Sequence, residues 1–140
     1  MNRKVKLSIS GLHSVAENED ANVATYHLAE YFKKNDSHYL LYEEKQEGFD
    51  KTSKNRIKFK ENRMELTRQG LVQTHMVFEE NKKHMTQYAS PYGAILLGID
   101  TKRVSVEEQE NAIKVEVEYV LEADGEHLSK CKIELHVEEQ

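Results

Sequence analysis

Arg68 lies in Thr67-Arg68-Gln69-Gly70, a short polar break between two stretches of alternating apolar residues. A guanidinium at a turn carries its donors in a planar fork, the geometry that meets a carboxylate or a phosphate with two parallel hydrogen bonds. Tyr42, Glu44, Tyr88 and Tyr92 supply the phenols and the carboxylate that could share a site with it. Met76 and Phe78, with Met64 and Met85, would form pliable apolar walls. Such a set recognises rather than transforms, and it suits an anionic or amphipathic small molecule bound in the rim or interior of a hollow fold. The same residues also admit a purely structural reading, in which Arg68 pairs with Glu44 and the methionines fill a core.

Other chemistry is less well supported. Lys54, Arg56, Lys58 and Lys60 fall on one face of an alternating run, and Arg63 joins them across a turn. Residues 51–85 hold nine Lys/Arg against four Asp/Glu, a net +5, whereas residues 100–140 hold five against twelve, a net −7. A basic stripe can attract an acidic partner or single-stranded nucleic acid, but Ile57 and Phe59 point to the other face, so stacking aromatics do not interleave with it. His75 and His84 are expected on one face of adjacent strands, with no third ligand nearby in sequence, so no metal site is expected. Glu43 and Glu44 alternate faces and cannot act as a carboxylate pair by adjacency. No nucleophile elbow, zinc-protease helix or phosphate loop occurs, and neither an enzyme nor a cofactor is expected.

The elements that must position these residues read as strands throughout. Val5, Leu7 and Ile9 alternate with polar residues until Gly11 and the Glu17–Asn22 patch. Residues 23–34, VATYHLAEYFKK, fit a helix or a strand, and their Thr, Tyr, Phe and Val favour a strand. The next strand, His38–Lys45, holds Tyr39-Leu40-Leu41-Tyr42, apolar on both faces, so its outer side calls for cover; Gln46–Lys54 reads as a loop. A two-residue turn at Glu61-Asn62 pairs Phe59 with Met64 and Ile57 with Leu66. A three-residue turn at Arg68-Gln69-Gly70, with glycine left-handed, would face Leu66 with Val72 and Met64 with Thr74. At Asp124-Gly125 a plain two-residue turn would bury Lys130 and Lys132. A three-residue turn, Ala123-Asp124-Gly125, instead faces Tyr119 with Ser129, Val117 with Cys131 and Ile113 with Leu135, and pairs Glu118, Glu116 and Lys114 with Lys130, Lys132 and Glu134 outside. It also makes Cys131 a buried, inert thiol. Val104 and Val106 are out of phase with Ile95, Leu97 and Ile99, which predicts a bulge near Thr101–Arg103, with Gly98 letting the strand coil. Bent strands joined by short turns describe an all-β domain over residues 1–140, a single antiparallel up-and-down barrel of 8–10 strands.

A polar chain of 140 residues, 38% hydrophobic and 32% charged, suits a sheet with one wet face. A net charge of −5 disfavours nucleic acid and anionic membranes as partners. A lone cysteine allows no internal disulfide, and no apolar run is long enough for a signal or a membrane span. A cytoplasmic protein is therefore expected.

Several stretches together resemble the YwiB-like proteins of Gram-positive bacteria: Tyr39-Leu40-Leu41-Tyr42-Glu43-Glu44, Thr67-Arg68-Gln69-Gly70, Met76-Val77-Phe78, and Tyr88-Ala89-Ser90-Pro91-Tyr92-Gly93 followed by Thr101. The resemblance spans roughly residues 25–138. It departs at Ser90, where the family usually has threonine. It implies a calycin-like barrel similar to lipocalins and fatty-acid-binding proteins, and brings no established ligand or catalytic residue. Three functions from different classes follow: a noncatalytic small-molecule binding barrel; an interaction module or homodimer using outward apolar faces such as Tyr39–Tyr42, Ala94–Ile99 and the Val120–Leu128 pair; and a weak single-stranded nucleic-acid binder.

Overall fold

Period-two alternation gives every strand one apolar face, and a strand so built is stable only when that face meets others of its kind. The computed structural model describes residues 1, 3–11, 24–45 and 52–140, apart from the side chains of His127 and Leu128. The Glu17–Asn22 patch and residues 46–51 therefore lie outside the described residues. Ten strands occur: β1 (Lys4–Ser10), β2 (Ala24–Lys34), β3 (Ser37–Lys45), β4 (Thr52–Lys60), β5 (Arg63–Gln69), β6 (Gln73–Glu79), β7 (Lys83–Ser90), β8 (Gly93–Glu108), β9 (Ala112–Ala123) and β10 (Glu126–Glu139). Each is antiparallel to its neighbours, and β1 pairs with β10, so the wall closes into an up-and-down barrel. The ambiguous segment is thus a strand, β2, and residues 52–54, expected in a loop, open β4.

An eight-stranded barrel is just filled by its own side chains, so ten strands leave a wider interior to fill. Large residues occupy much of it. Phe59, Phe78, Met64, Leu66, Leu97, Ile99, Ile133 and Leu135 are buried at 0–1% exposure, and Phe78 meets Tyr119 edge-on at 5.0 Å.

The registers separate what alternation fixes from what it leaves free. The turn at Glu61-Asn62 is as expected: Phe59 faces Met64, Ile57 faces Leu66 and Lys58 faces Glu65, with Asn62 at φ +69. The bulge expected at Thr101–Arg103 is present. The connection after β5 differs. Leu66 faces Met76, Met64 faces Phe78 and Arg68 faces Thr74, so residues 70–72 form the link and Arg68 belongs to the strand. Gly70 is not left-handed. Its missing Cβ instead makes room for Ser53, whose Cα would lie 2.8 Å from that atom. In the last hairpin Ala123 pairs with Glu126, so the turn is the two-residue Asp124-Gly125, both at positive φ. A bulge between His127 and Ser129 then restores the faces: Tyr119 opposes Cys131, Val117 opposes Ile133 and Ile113 opposes Val137. The opposed outer residues are displaced by two, so Glu118 faces Lys132; Glu116 still reaches Lys132 diagonally at 4.0 Å and is approached more closely by Arg103 at 2.7 Å and Lys114 at 3.2 Å. Those contacts, Lys114 foremost, hold the Glu116 carboxyl below its usual range. Cys131 is only half-buried, with Sγ 3.3 Å from Ser129 Oγ, and Val120 opposes Lys130.

The end of the barrel holding the β2–β3 and β8–β9 turns is tied by one histidine. His38 Nε2 lies 2.8 Å from Glu108 Oε1, and its Nδ1 lies 2.7 Å from the Tyr31 hydroxyl. A carboxylate can only accept, so Nε2 carries the proton and Tyr31 donates to Nδ1. Phe59 stacks on the ring at 4.8 Å, and Lys33 reaches Glu108 at 3.8 Å. Burial lowers the His38 pKa and outweighs the attraction of Glu108, with Lys33 adding to the fall. A histidine held neutral by the fold is protonated more readily in the unfolded chain. Its contribution is therefore complete above about pH 6.5 and declines as pH falls below that value. Between pH 7.5 and 5, wild type should lose more thermal stability than His38→Gln; parallel melting curves would refute the assignment.

Candidate functional site

On β3 to β7, the inward positions near the end where β3 finishes and β4 begins are largely polar. Along one cross-strand row, Tyr42 opposes Asn55, Asn55 opposes Arg68, Arg68 opposes Thr74 and Thr74 opposes Tyr88. Directly opposed residues lie about 4.5–5.5 Å apart at Cα, so these side chains share one belt of the interior. Glu44 and His27 flank the row: Asn55 Nδ2 donates to Glu44 Oε1 at 2.9 Å, and the His27 ring lies 4.6 Å from that of Tyr42.

Tyr42, Asn55, Thr74 and Tyr88 are buried, at 3–7% exposure, whereas Arg68 is half-buried. Five buried side-chain polar atoms make no well-formed hydrogen bond among the described residues, and four belong to this belt: Asn55 Oδ1, Arg68 Nε, Tyr88 Oη, and Tyr42 Oη, which lies against the Arg68 guanidinium. Thr74 is satisfied by the Gln87 carbonyl at 3.0 Å. A buried polar group left without a good hydrogen bond costs about 1–3 kcal/mol, so four in one row are an unusual concentration. They comprise an N–H, two hydroxyls and one carbonyl acceptor.

The electrostatics keep the belt in its donor form. Burial, eased by the neighbouring Arg68, raises the Tyr42 phenol to about 12. At neutral pH it therefore donates and does not act as a base. Burial likewise lowers the His27 pKa, with Glu44 opposing and Arg68 reinforcing the shift. No ion pair joins Arg68 to Glu44 or to any other described carboxylate within 4.0 Å, so the structural reading of that pair does not hold among the described residues.

Of the residues singled out from the sequence, the fold brings together Tyr42, Glu44, Arg68 and Tyr88. Met76 and Phe78 lie deeper on the same inward face, packed in the core. Tyr92 is 94% exposed at the β7–β8 turn and Met85 is 52% exposed, so neither lines the belt; each occupies an outward or turn position rather than an inward one. Sequence reasoning missed His27, Asn55 and Thr74. Their signal was polarity at an inward beat of the alternation.

Elsewhere, Lys54, Arg56, Lys58 and Lys60 share the outward face of β4 as expected. His75 points outward beside Glu65 and Thr67, at 3.2 and 2.8 Å, while His84 pairs with Glu79 at 2.9 Å. Among the described residues no group of three metal-ligating side chains occurs. Arg63 leaves the basic stripe, bound to Glu79 at 2.8 Å, and Lys58 lies 5.6 Å over the Tyr39 ring.

A ten-stranded up-and-down barrel with one polar interior belt is the class of protein that fold and site define. The chain resembles in structure the YwiB protein from Bacillus subtilis, whose crystal structure superposes with a TM-score of 0.80 over 99% of this chain and 92% of that one, at 17% sequence identity. At that identity the likeness speaks for the fold. Among curated proteins none matches the chain in sequence. Residues 7–135 match the family described as "Domain of unknown function (DUF1934)", and the chain belongs to that family.

Proposed function

We propose that this protein is a noncatalytic small-molecule binding barrel whose ligand is anionic or amphipathic and is gripped by Arg68. The observation that carries the reading is the row of buried polar atoms on Tyr42, Asn55, Arg68 and Tyr88 that make no well-formed hydrogen bond among the described residues, with the Tyr42 phenol against the Arg68 guanidinium. A ligand with an acidic head would accept from Arg68 and the two phenols while offering a hydroxyl or N–H to Asn55 Oδ1. Large buried side chains occupy much of the barrel below the belt, which favours a place for the ligand at the belt, beside the wall. A protonated Tyr42 and a neutral His27 suit binding better than acid–base work. The probe of choice is 8-anilinonaphthalene-1-sulfonate, an anionic head on an apolar body. Hydrogen bonds to charged groups contribute about 1.5–3 kcal/mol, so Arg68→Ala should weaken its binding about ten- to a hundredfold. Arg68→Lys, which keeps the charge but loses the fork, should fall between. Unchanged affinity in Arg68→Ala would overturn the reading.

A second reading, an interaction surface or homodimer, is favoured by Tyr26 and Leu28, which are 78% and 67% exposed on the outer face of β2. A monomer by sedimentation at all concentrations would remove the homodimer.

A further inference from the structure

The β2–β3 ladder runs from Lys34–Ser37 up to Glu30–Leu41 and stops there. Both strands continue on their other sides, β2 with β1 as far as Ala24–Ser10 and β3 with β4 as far as Lys45–Thr52. Had the register continued, Ala29 would oppose Tyr42 and Leu28 would oppose Glu43. The wall is therefore split along the upper half of these two strands. An open depression of about 810 Å³ overlies the split. Its lining includes the outward side chains Leu28, Leu41, Lys54 and Arg56, and also Tyr42 and Asn55, whose side chains belong to the interior belt. The hollow thus borders two residues of the belt but not Arg68, and the His27 ring packs on Tyr42 at 4.6 Å where the two strands part. Tyr42 and Asn55 belong both to the hollow and to the row of polar atoms without a well-formed hydrogen bond. Lys54 and Arg56 stand exposed at the mouth with Lys4, while Glu43, which opposes Lys54, and Glu30 also line it.

We infer that the interior belt is entered sideways, through the split between β2 and β3, and that the bound molecule remains threaded through it. Its anionic head reaches Arg68, drawn past Lys54 and Arg56, while its apolar body rests on Leu28 and Leu41 at the mouth. This inference rests on the binding role proposed above and adds the route, the orientation and a second pair of cations.

Stapling the split tests it. In a Cys131→Ser background, which removes the sole native cysteine, Leu28→Cys and Glu43→Cys place two thiols where the ladder would have continued. Opposed antiparallel residues come within disulfide reach once the strands zip. The reduced variant, whose Leu28→Cys change by itself trims the mouth, sets the reference affinity for 8-anilinonaphthalene-1-sulfonate. Oxidised, it should lose binding at least about tenfold, and dithiothreitol should restore it. Undiminished binding by the oxidised form overturns the lateral entrance. Where the disulfide does not form, Leu28→Cys alone, in the same background and capped with a bulky maleimide, should block the mouth, whereas a cap on Tyr26→Cys, outside the hollow, should not. Equal binding by both capped forms also overturns it. The two readings fail differently: if Arg68→Ala leaves the open form's affinity unchanged, the binding site is wrong, and if Arg68 matters but closure does not, only the entrance is wrong.

Discussion

Phe78→Ala should lower the unfolding free energy by about 3–5 kcal/mol, a fall in melting temperature of roughly 10–20 °C for a chain of this size. Phe78 is fully buried, faces Met64 across the β5–β6 ladder and meets Tyr119 edge-on. Its ring spans interior that ten strands enclose and smaller side chains would leave empty. Truncation removes the transfer free energy of the ring and leaves a cavity that closed walls cannot collapse around. Equilibrium urea unfolding measures the loss. A value below about 1 kcal/mol would mean that the lower interior is loosely packed, and the ligand would then no longer be confined to the wall.

Gly70→Ala should couple stability to binding. A methyl at Gly70 would lie 2.8 Å from both Cα and Cβ of Ser53, so backbone as well as side chain must move. Ser53 is two residues from Asn55 on the inward face of β4, and Gly70 is two from Arg68 on β5. The displacement therefore acts on the directly opposed pair at the centre of the belt. A cost of about 1–3 kcal/mol is expected, with weakened dye binding at temperatures where the variant remains folded. Gly98→Ala is the control: its nearest neighbours are the ends of Lys83, Glu122 and Met85 at 3.0–3.2 Å, all able to swing away. A change within about 0.5 kcal/mol and normal binding are expected there. Equal effects at both glycines would show that close approach to Ser53 is not what Gly70 provides.

The sequence discloses faces far better than partners. Alternation assigns Leu66, Met76, Val117 and Ile133 to the interior whichever residues oppose them, because a slip of two leaves every side chain on its own face. Register depends on turns, and turns hide bulges. Asp124-Gly125 carries the right residues for a two-residue hairpin, and only the extra residue between His127 and Ser129 reconciles that turn with buried Ile133 and outward Lys132. Nothing local marks that bulge. After Arg68 the visible glycine suggested a turn, whereas its role is to let β4 approach. The site was half legible for a related reason. Reading conspicuous chemistry found Arg68, Tyr42, Glu44 and Tyr88, but also drew in Tyr92. Asking which inward positions hold polar residues would have named Asn55, Thr74 and His27.

The pairing of β1 with β10 bears on how the chain reaches this state. Every other wall contact joins strands that follow one another, so a growing polypeptide can assemble them as hairpins in the order they are made. The seam cannot form until β10 exists, and until then β1 and β9 each present an unpaired edge of the kind that recruits foreign strands. Closing it joins Val5 to Glu139 across nearly the whole chain, a contact whose long loop makes the final step slow. During synthesis the barrel is thus an open, curling sheet, and its β1 and β9 edges stay open to mispairing until that last strand docks.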